Sequence, residues 1–134
     1  MADQDTVRRI ALSLPDTGEY EDRFAFYVLN KAKRKPFVWV WMERTDPKKA
    51  RVPQPAVVAV RVANLDEKAA ILALDPDKFF TEPHYNGYPA VLIRLHAIDD
   101  DLEEFIVDAW RCQAPRQLVK EFDDQDAGFR ASMM

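Results

Sequence analysis

From Phe24 to Val62 the chain carries three strand-like runs in succession, and this constrains the fold more than any other feature. Phe24 to Leu29 is dense in aromatic and β-branched residues, and Phe37 to Met42 repeats that character. In the second run alternation puts Phe37, Trp39 and Trp41 on one face and Val38, Val40 and Met42 on the other. Ala56 to Val62 sets Val58, Val60 and Val62 on one side. Successive strands with no crossover helix predict an antiparallel meander, not a parallel sheet wound with helices on both faces. Asn30 to Lys35 is a polar connection suited to a hairpin. Glu43 to Pro55, with Pro47, Pro53 and Pro55, reads as a long loop.

Helical spacing brackets these strands. Val7, Ile10, Ala11 and Leu14 recur at i, i+3, i+4 and i+7. Asp3 or Asp5 is the expected cap, Pro15 ends the helix, and Asp16-Thr17-Gly18 reads as a turn. A second helix starts at Asn64 as N-cap with Glu67 three residues on, and buries Leu65, Ala69, Leu72 and Ala73 until Asp75-Pro76 stops it. Ala90 to Leu95 is a strand, with Val91, Ile93 and Leu95 opposite Leu92 and Arg94, and a further short strand is expected near Phe79-Phe80. Asp100-Asp101-Leu102-Glu103 opens the longest helix, whose core stripe is Leu102, Phe105, Ile106, Ala109 and Trp110. Pro115 fits the first position of a short last helix with Leu118, Val119 and Phe122 facing inward. The order α-β-β-β-α-β-α-α predicts a two-layer α+β domain, an antiparallel sheet with helices on one face. Residues 1–122 form that single domain, and residues 123–134 are expected to be an acidic, flexible tail.

Composition narrows the functional classes. A chain of 134 residues with 48% apolar and 31% charged residues can bury one core without staples. Cys112 is the sole cysteine, so neither an intramolecular disulfide nor a CxxC metal site is available. The polar, acidic start lacks the basic and apolar segments of a signal peptide, and no apolar run is long enough to span a membrane. The expectation is a cytoplasmic monomer with no membrane partner and no cofactor. A net charge of −4 opposes polyanion binding, but the charge is segregated. Lys31 to Arg51 holds eight basic and two acidic residues, whereas His96 to the C-terminus holds ten acidic and four basic.

The second half carries a family likeness. Leu65-Asp66-Glu67-Lys68-Ala69-Ala70, Asp77-Lys78-Phe79-Phe80, Pro83-His84-Tyr85-Asn86-Gly87-Tyr88-Pro89 and Ala90-Val91-Leu92-Ile93-Arg94-Leu95 resemble, in order and spacing, the MmcQ/YjbR family. The helix from Leu102 to Trp110, the Ala114-Pro115 after it and the opening Ala11-Leu12-Ser13-Leu14-Pro15 are similar too, so the likeness covers roughly residues 5 to 122. The resemblance implies a two-layer α+β domain with hairpin wings proposed to bind DNA. It implies no catalytic reaction and carries over no catalytic residue. The chain departs from the family in its first half, where the hairpin tip is unusually basic and the Glu43 to Pro55 loop is long.

The candidate sites follow. Lys31, Lys33, Arg34, Lys35, Arg44, Lys48, Lys49 and Arg51 are the candidate phosphate contacts of a weak, non-specific DNA-binding surface, with a solvated, aggregation-resisting tip as the alternative. His84, Tyr85, Tyr88 and Arg94 are candidates for a small-ligand pocket, with a glycine turn at Gly87 as the plainer reading. Arg61 and Arg94, each penultimate in a strand, are a candidate shared site for acidic partners or lie beneath the Tyr85 loop, with snorkelling at the sheet end as the plainer reading. Trp39 and Trp41 are expected in the core under a helix rather than as a stacking platform for bases. Asp99, Asp100 and Asp101 are explained by helix capping rather than a metal, and Glu104 and Asp108 by solvation. His96 and Cys112 are the remaining residues of catalytic type, and no nucleophile, phosphate-loop or metal-protease motif accompanies them.

Overall fold

The computed structural model describes the backbone of residues 1–133 and the side chains of residues 1–125. It is an α+β domain in the expected order, with the short strand expected near Phe79-Phe80 present and one further short strand at Thr17–Glu19. Helix α1 (Gln4–Leu12) leads into β1 (Thr17–Glu19), β2 (Ala25–Asn30), β3 (Lys33–Glu43) and β4 (Val52–Arg61). Then come α2 (Leu65–Leu72), β5 (Phe79–Phe80), β6 (Ala90–Arg94), α3 (Asp101–Gln113) and α4 (Arg116–Met133). The six strands form one antiparallel sheet in the order β1-β2-β3-β4-β6-β5.

Each helix start obeys or departs from its sequence signal for a local reason. The Asp3 carboxylate accepts from the Thr6 N–H, and the Thr6 hydroxyl closes the reciprocal capping box. Asn64 caps α2 by accepting from the Glu67 N–H at 2.8 Å. Asp100 makes no side-chain cap. Its neighbours are used otherwise: Asp99 pairs with the N-terminal amine and Asp101 with Lys78. The helix expected to begin with Pro115 starts at Arg116, and the Pro115 carbonyl accepts from the Val119 N–H.

The main core lies between the sheet and the helices. Val7, Ile10 and Ala11 of α1 and Leu102, Ile106, Ala109 and Trp110 of α3 pack against Phe26, Val28, Phe37, Val38, Val58, Val60, Val91 and Ile93. Fully burying each large side chain here contributes about 1.5–3 kcal/mol. Trp110 is fully buried and spends its indole N–H on the Pro15 carbonyl at 3.0 Å. Leu118, Val119 and Phe122 of α4 add to the edge of this core, as their spacing predicts.

Several expectations need correction. Thr17 to Glu19 is an edge strand paired to β2, not a turn, because Gly18 lets the Tyr27 ring lie across it. The Asn30 to Lys35 connection shrinks to Lys31 and Ala32, both at positive φ (54° and 66°), as a tight hairpin turn demands. The loop after β3 is likewise shorter, because Val52 to Gln54 pair with β3. Prolines are tolerated there because β6 pairs only from Val57 onward, which leaves the other edge of that segment without a ladder. On α2 the buried residues are Lys68 and Ile71, while Leu65 is 49% exposed. The segment expected as a tail continues α4 to Met133, and its start carries the Arg111–Asp123 and Lys120–Asp124 ion pairs. Met134 lies outside the described residues.

The most consequential departure is on β3. Phe26 pairs with Val38 but Tyr27 with Pro36, so Phe37 is an extra residue in the ladder. Phe37 and Val38 both enter the main core. The bulge shifts alternation by one position, so Trp39 and Trp41 no longer share a face with Phe37. They lie half-buried on the opposite face of the sheet, with Val57, Ala59, Tyr85, Ala90, Leu92 and Phe80. The tryptophans are therefore not under a helix.

Candidate ligand cavity

The outer sheet face is covered in part by the loop between β5 and β6. Pro83–Tyr85 forms a 3₁₀ turn, and Gly87 at φ 77° supplies the left-handed residue that returns the chain to β6. A cavity of about 490 Å³ opens between this loop and the β2–β3 strands. Ala25, Pro36 and Trp39 line the sheet side, His84, Tyr85 and Tyr88 line the loop side, and Arg23 stands at one edge. The structure thus brings together three of the four pocket candidates.

The cavity wall is aromatic and internally bonded. The Trp39 indole N–H donates to the Tyr85 hydroxyl at 3.1 Å. Tyr88 packs edge-on to Trp39 at 6.5 Å and to Tyr85 at 6.2 Å, and His84 packs against Tyr85 at 5.7 Å. Burial pushes the Tyr85 hydroxyl above its ordinary pKa, while the Trp39 donor pulls in the other direction. The Tyr85 hydroxyl therefore stays protonated at neutral pH, and its hydrogen has no acceptor among the described residues. Beside the cavity two guanidinium groups lie over tyrosine rings, Arg23 over Tyr20 at 4.1 Å and Arg34 over Tyr27 at 4.6 Å.

Arg94 is not part of this cavity. Its guanidinium lies 4.1 Å over Phe80 and donates to the Pro76 carbonyl at 3.0 Å. The pairing with Arg61 fails as well. Arg61 is opposite Ala90 while Arg94 is opposite Val57, so the two sit four positions apart along β6, about 13 Å. Arg61 does reach the loop: its guanidinium is 5.6 Å from the Tyr88 ring.

The eight basic candidates do not form one surface. Lys31, Lys33, Arg34 and Lys35 are at the β2–β3 turn, and Arg44, Lys48, Lys49 and Arg51 are at the β3–β4 loop. β3 runs between the two, which separates them by about 30 Å. Arg34 is paired with Glu21, and Arg51 donates to the Met42 carbonyl. Arg51 and the other six make no ion pair among the described residues.

His96 and Cys112 also stay apart. His96 lines a shallow depression with Met1 and Pro55, and Cys112 lines a separate cavity of about 450 Å³ with Arg61, Glu67, Phe105 and Arg111. Burial pushes the Cys112 thiol up from its ordinary value, which disfavours the thiolate. Glu104 and Asp108 lie exposed on α3, with Asp108 bonded to Arg111 at 2.7 Å. Among the described residues no three potential ligands gather around a metal position, and no helix is long and apolar enough to cross a membrane.

Sequence reasoning missed two residues of the site. Arg23 precedes β2 and carries no pattern that marks it. Lys68 is 6% exposed, and its ammonium donates to the carbonyls of Tyr85 at 2.6 Å and Tyr88 at 2.9 Å. One signal was available: Lys68 lies three residues after Leu65 and four before Leu72, inside the helical stripe.

No model of a known protein family matches the chain, and no solved structure matches it. Curated relatives do. The chain is 40% identical over 129 residues to Uncharacterized protein Rv2570 and Uncharacterized protein MT2646 of Mycobacterium tuberculosis, an alignment covering 91% of this chain and 96% of each relative. Uncharacterized protein Mb2600 of Mycobacterium bovis matches to the same extent, 40% over 129 residues. With that identity along nearly the whole of both chains, this protein belongs to the family of these mycobacterial proteins.

Proposed function

We propose that the chain is a non-enzymatic binding module that takes a flat, π-rich small molecule in the cavity beneath the His84–Tyr88 loop. The observation that carries this reading is the cavity wall itself: Trp39, Tyr85 and Tyr88 converge on a space of about 490 Å³. That volume is within the range of small-ligand sites. The unshared Tyr85 hydroxyl hydrogen would meet an acceptor on the ligand, and the guanidinium hydrogens of Arg23 not bonded to Asp22 favour a negative substituent at the rim. The likeness to the MmcQ/YjbR family fits a binding role without catalysis. The separation of His96 from Cys112 gives no nucleophile–base pair to set against it.

The test uses 2-naphthoate, a flat aromatic anion, titrated against intrinsic tryptophan fluorescence. Saturable quenching is expected, reduced at least tenfold in affinity by Trp39→Leu and by Tyr88→Ala. Equal binding by wild type and both variants overturns the assignment.

A second reading keeps the basic wings as weak, sequence-tolerant DNA contacts, and the seven cations without an ion pair among the described residues favour it. With the cations at two ends of β3, a duplex touches both only by running about 30 Å along the strand, roughly nine base pairs. One end holds four basic groups, so a short duplex should show a log–log salt slope of about −3.6 and a dissociation constant of roughly 10⁻⁴ to 10⁻⁶ M near physiological salt. Anisotropy titrations with short and long duplexes, beside a Lys33, Arg34, Lys35 triple alanine variant, decide it. Identical behaviour of variant and wild type at low salt removes the wing reading.

A further inference from the structure

A lysine buried to 6% exposure with no carboxylate partner among the described residues needs a reason, because a desolvated ammonium is costly unless its hydrogens are bonded. Lys68 bonds two of its hydrogens to carbonyls, at 2.6 Å to Tyr85 and 2.9 Å to Tyr88. The Tyr85 carbonyl closes the 3₁₀ turn Pro83–Tyr85, the negative end of that turn's dipole. Both carbonyls also accept from backbone N–H groups, Tyr85 from Tyr88 at 3.0 Å and Tyr88 from Ala90 at 2.8 Å. The ammonium thus joins two successive turns of one loop to helix α2.

We infer that Lys68 is the positioning residue of the cavity: its ammonium clasps the Tyr85–Tyr88 loop to α2 and holds three aromatic wall residues in place. This rests on the reading of the cavity as a ligand site. Besides the packing of the buried Tyr85 ring on the outer sheet face, few other hydrogen bonds hold the loop. Its internal hydrogen bonds are local, from Tyr85 to Glu82, Asn86 to Pro83 and Tyr88 to Tyr85. Among the described residues, the other bonds from Pro83–Pro89 to the chain beyond it are Trp39 to the Tyr85 hydroxyl, the Val62 N–H to the Pro89 carbonyl and the Ala90 N–H to the Tyr88 carbonyl, the last to an adjoining residue. The first of these is itself part of the cavity wall. Lys68 does not line the cavity, so it acts through the loop and not on the ligand. Burial lowers its pKa from the ordinary lysine value, consistent with an ammonium held by carbonyls alone.

The test is amide hydrogen exchange on the full chain, with wild type beside Lys68→Met, which keeps the length and removes the donors. The expected result is exchange at Tyr85, Asn86 and Tyr88 at least tenfold faster, with the α3 amides unchanged, and a 2-naphthoate affinity at least fivefold weaker. Lys68→Arg, which keeps a cation with several donors, should retain more loop protection than Lys68→Met. If Lys68→Met does not fold, Lys68→Gln, with a neutral donor, should show the same loop-confined acceleration. Loop exchange equal to wild type in a folded donor-deficient variant overturns the clasp. Faster loop exchange in a protein that never binds 2-naphthoate leaves the clasp standing and removes the ligand assignment instead.

Discussion

Replacing Gly18 by alanine tests how the outer sheet face is held. Gly18 is the cross-strand partner of Tyr27. A Cβ built there would fall 2.4 Å from the Tyr27 hydroxyl oxygen and 2.6 Å from the ring carbon that bears it, well inside contact distance. Alanine in a strand otherwise gains about 0.5–1 kcal/mol over glycine, because the unfolded chain loses freedom. Against this, the Tyr27 ring must swing out. Doing so breaks its edge-on packing with Tyr20 at 5.0 Å, worth about 0.5–1.5 kcal/mol, and its stacking under Arg34. Overpacking of this kind costs typically about 1–3 kcal/mol. The net expectation is a destabilisation of about 1 kcal/mol for Gly18→Ala. In a Tyr27→Ala background the clash is gone, and the same substitution should stabilise by about 0.5 kcal/mol. The two backgrounds then differ by about 1.5 kcal/mol, a coupling that a double-mutant cycle resolves. Urea titrations followed by circular dichroism supply the four stabilities. A stabilising Gly18→Ala in the otherwise unaltered chain, or the same change in both backgrounds, refutes the packing argument.

Three further outcomes are expected. Ala32→Gly should raise stability by about 1 kcal/mol, read from the urea midpoint, because Ala32 sits at φ 66° where only glycine is unstrained. Trp110→Phe should cost about 2–3 kcal/mol in the same assay, since it opens space in a fully buried site and leaves the Pro15 carbonyl without its 3.0 Å donor. Asp3 is held below the ordinary carboxylate range by the Thr6 N–H, so its contribution is present above the unfolded value of about 3.9 and is lost as pH falls through the lower folded value. Urea midpoints between about pH 2 and 6 should show that loss in the wild type and a flatter profile in Asp3→Asn.

The sequence made the meander, the helix faces and the main core legible because each rests on local periodicity. Val7, Ile10 and Ala11, or Leu102, Ile106 and Trp110, are buried where spacing alone puts them. The face of Trp39 and Trp41 was not legible, because a single extra residue at Phe37 inverts alternation and nothing in the run Phe37 to Met42 marks it. Asp16-Thr17-Gly18 looked like a turn because the edge strand Thr17–Glu19 needs only one partner, and its glycine serves a ring across the ladder. Three pocket residues could be gathered from sequence because they share one loop. Arg94 was misassigned because its strand passes that loop before reaching it. Lys68 is not among the α2 residues expected to be buried because lysine seldom enters a core, and only carbonyls brought from seventeen and twenty residues away make its burial tolerable.

The placement of α3 has a consequence for how the chain reaches its folded state during synthesis. The apolar side of β2, β3 and β4 is complete once Arg61 has been made, but much of its cover comes from Leu102, Ile106, Ala109 and Trp110. The fastenings that close this cover span long stretches of chain: Ala2 to Leu95, Pro15 to Trp110, Asn30 to Gln113 and Gln113 to Pro36. None of them can form on a nascent chain that ends before residue 95. Until α3 has cleared the ribosome, Phe26, Phe37, Val38, Val58 and Val60 present a wet apolar sheet. Folding is therefore committed late, and a chain truncated ahead of Trp110 would be a client for chaperones rather than a smaller stable domain.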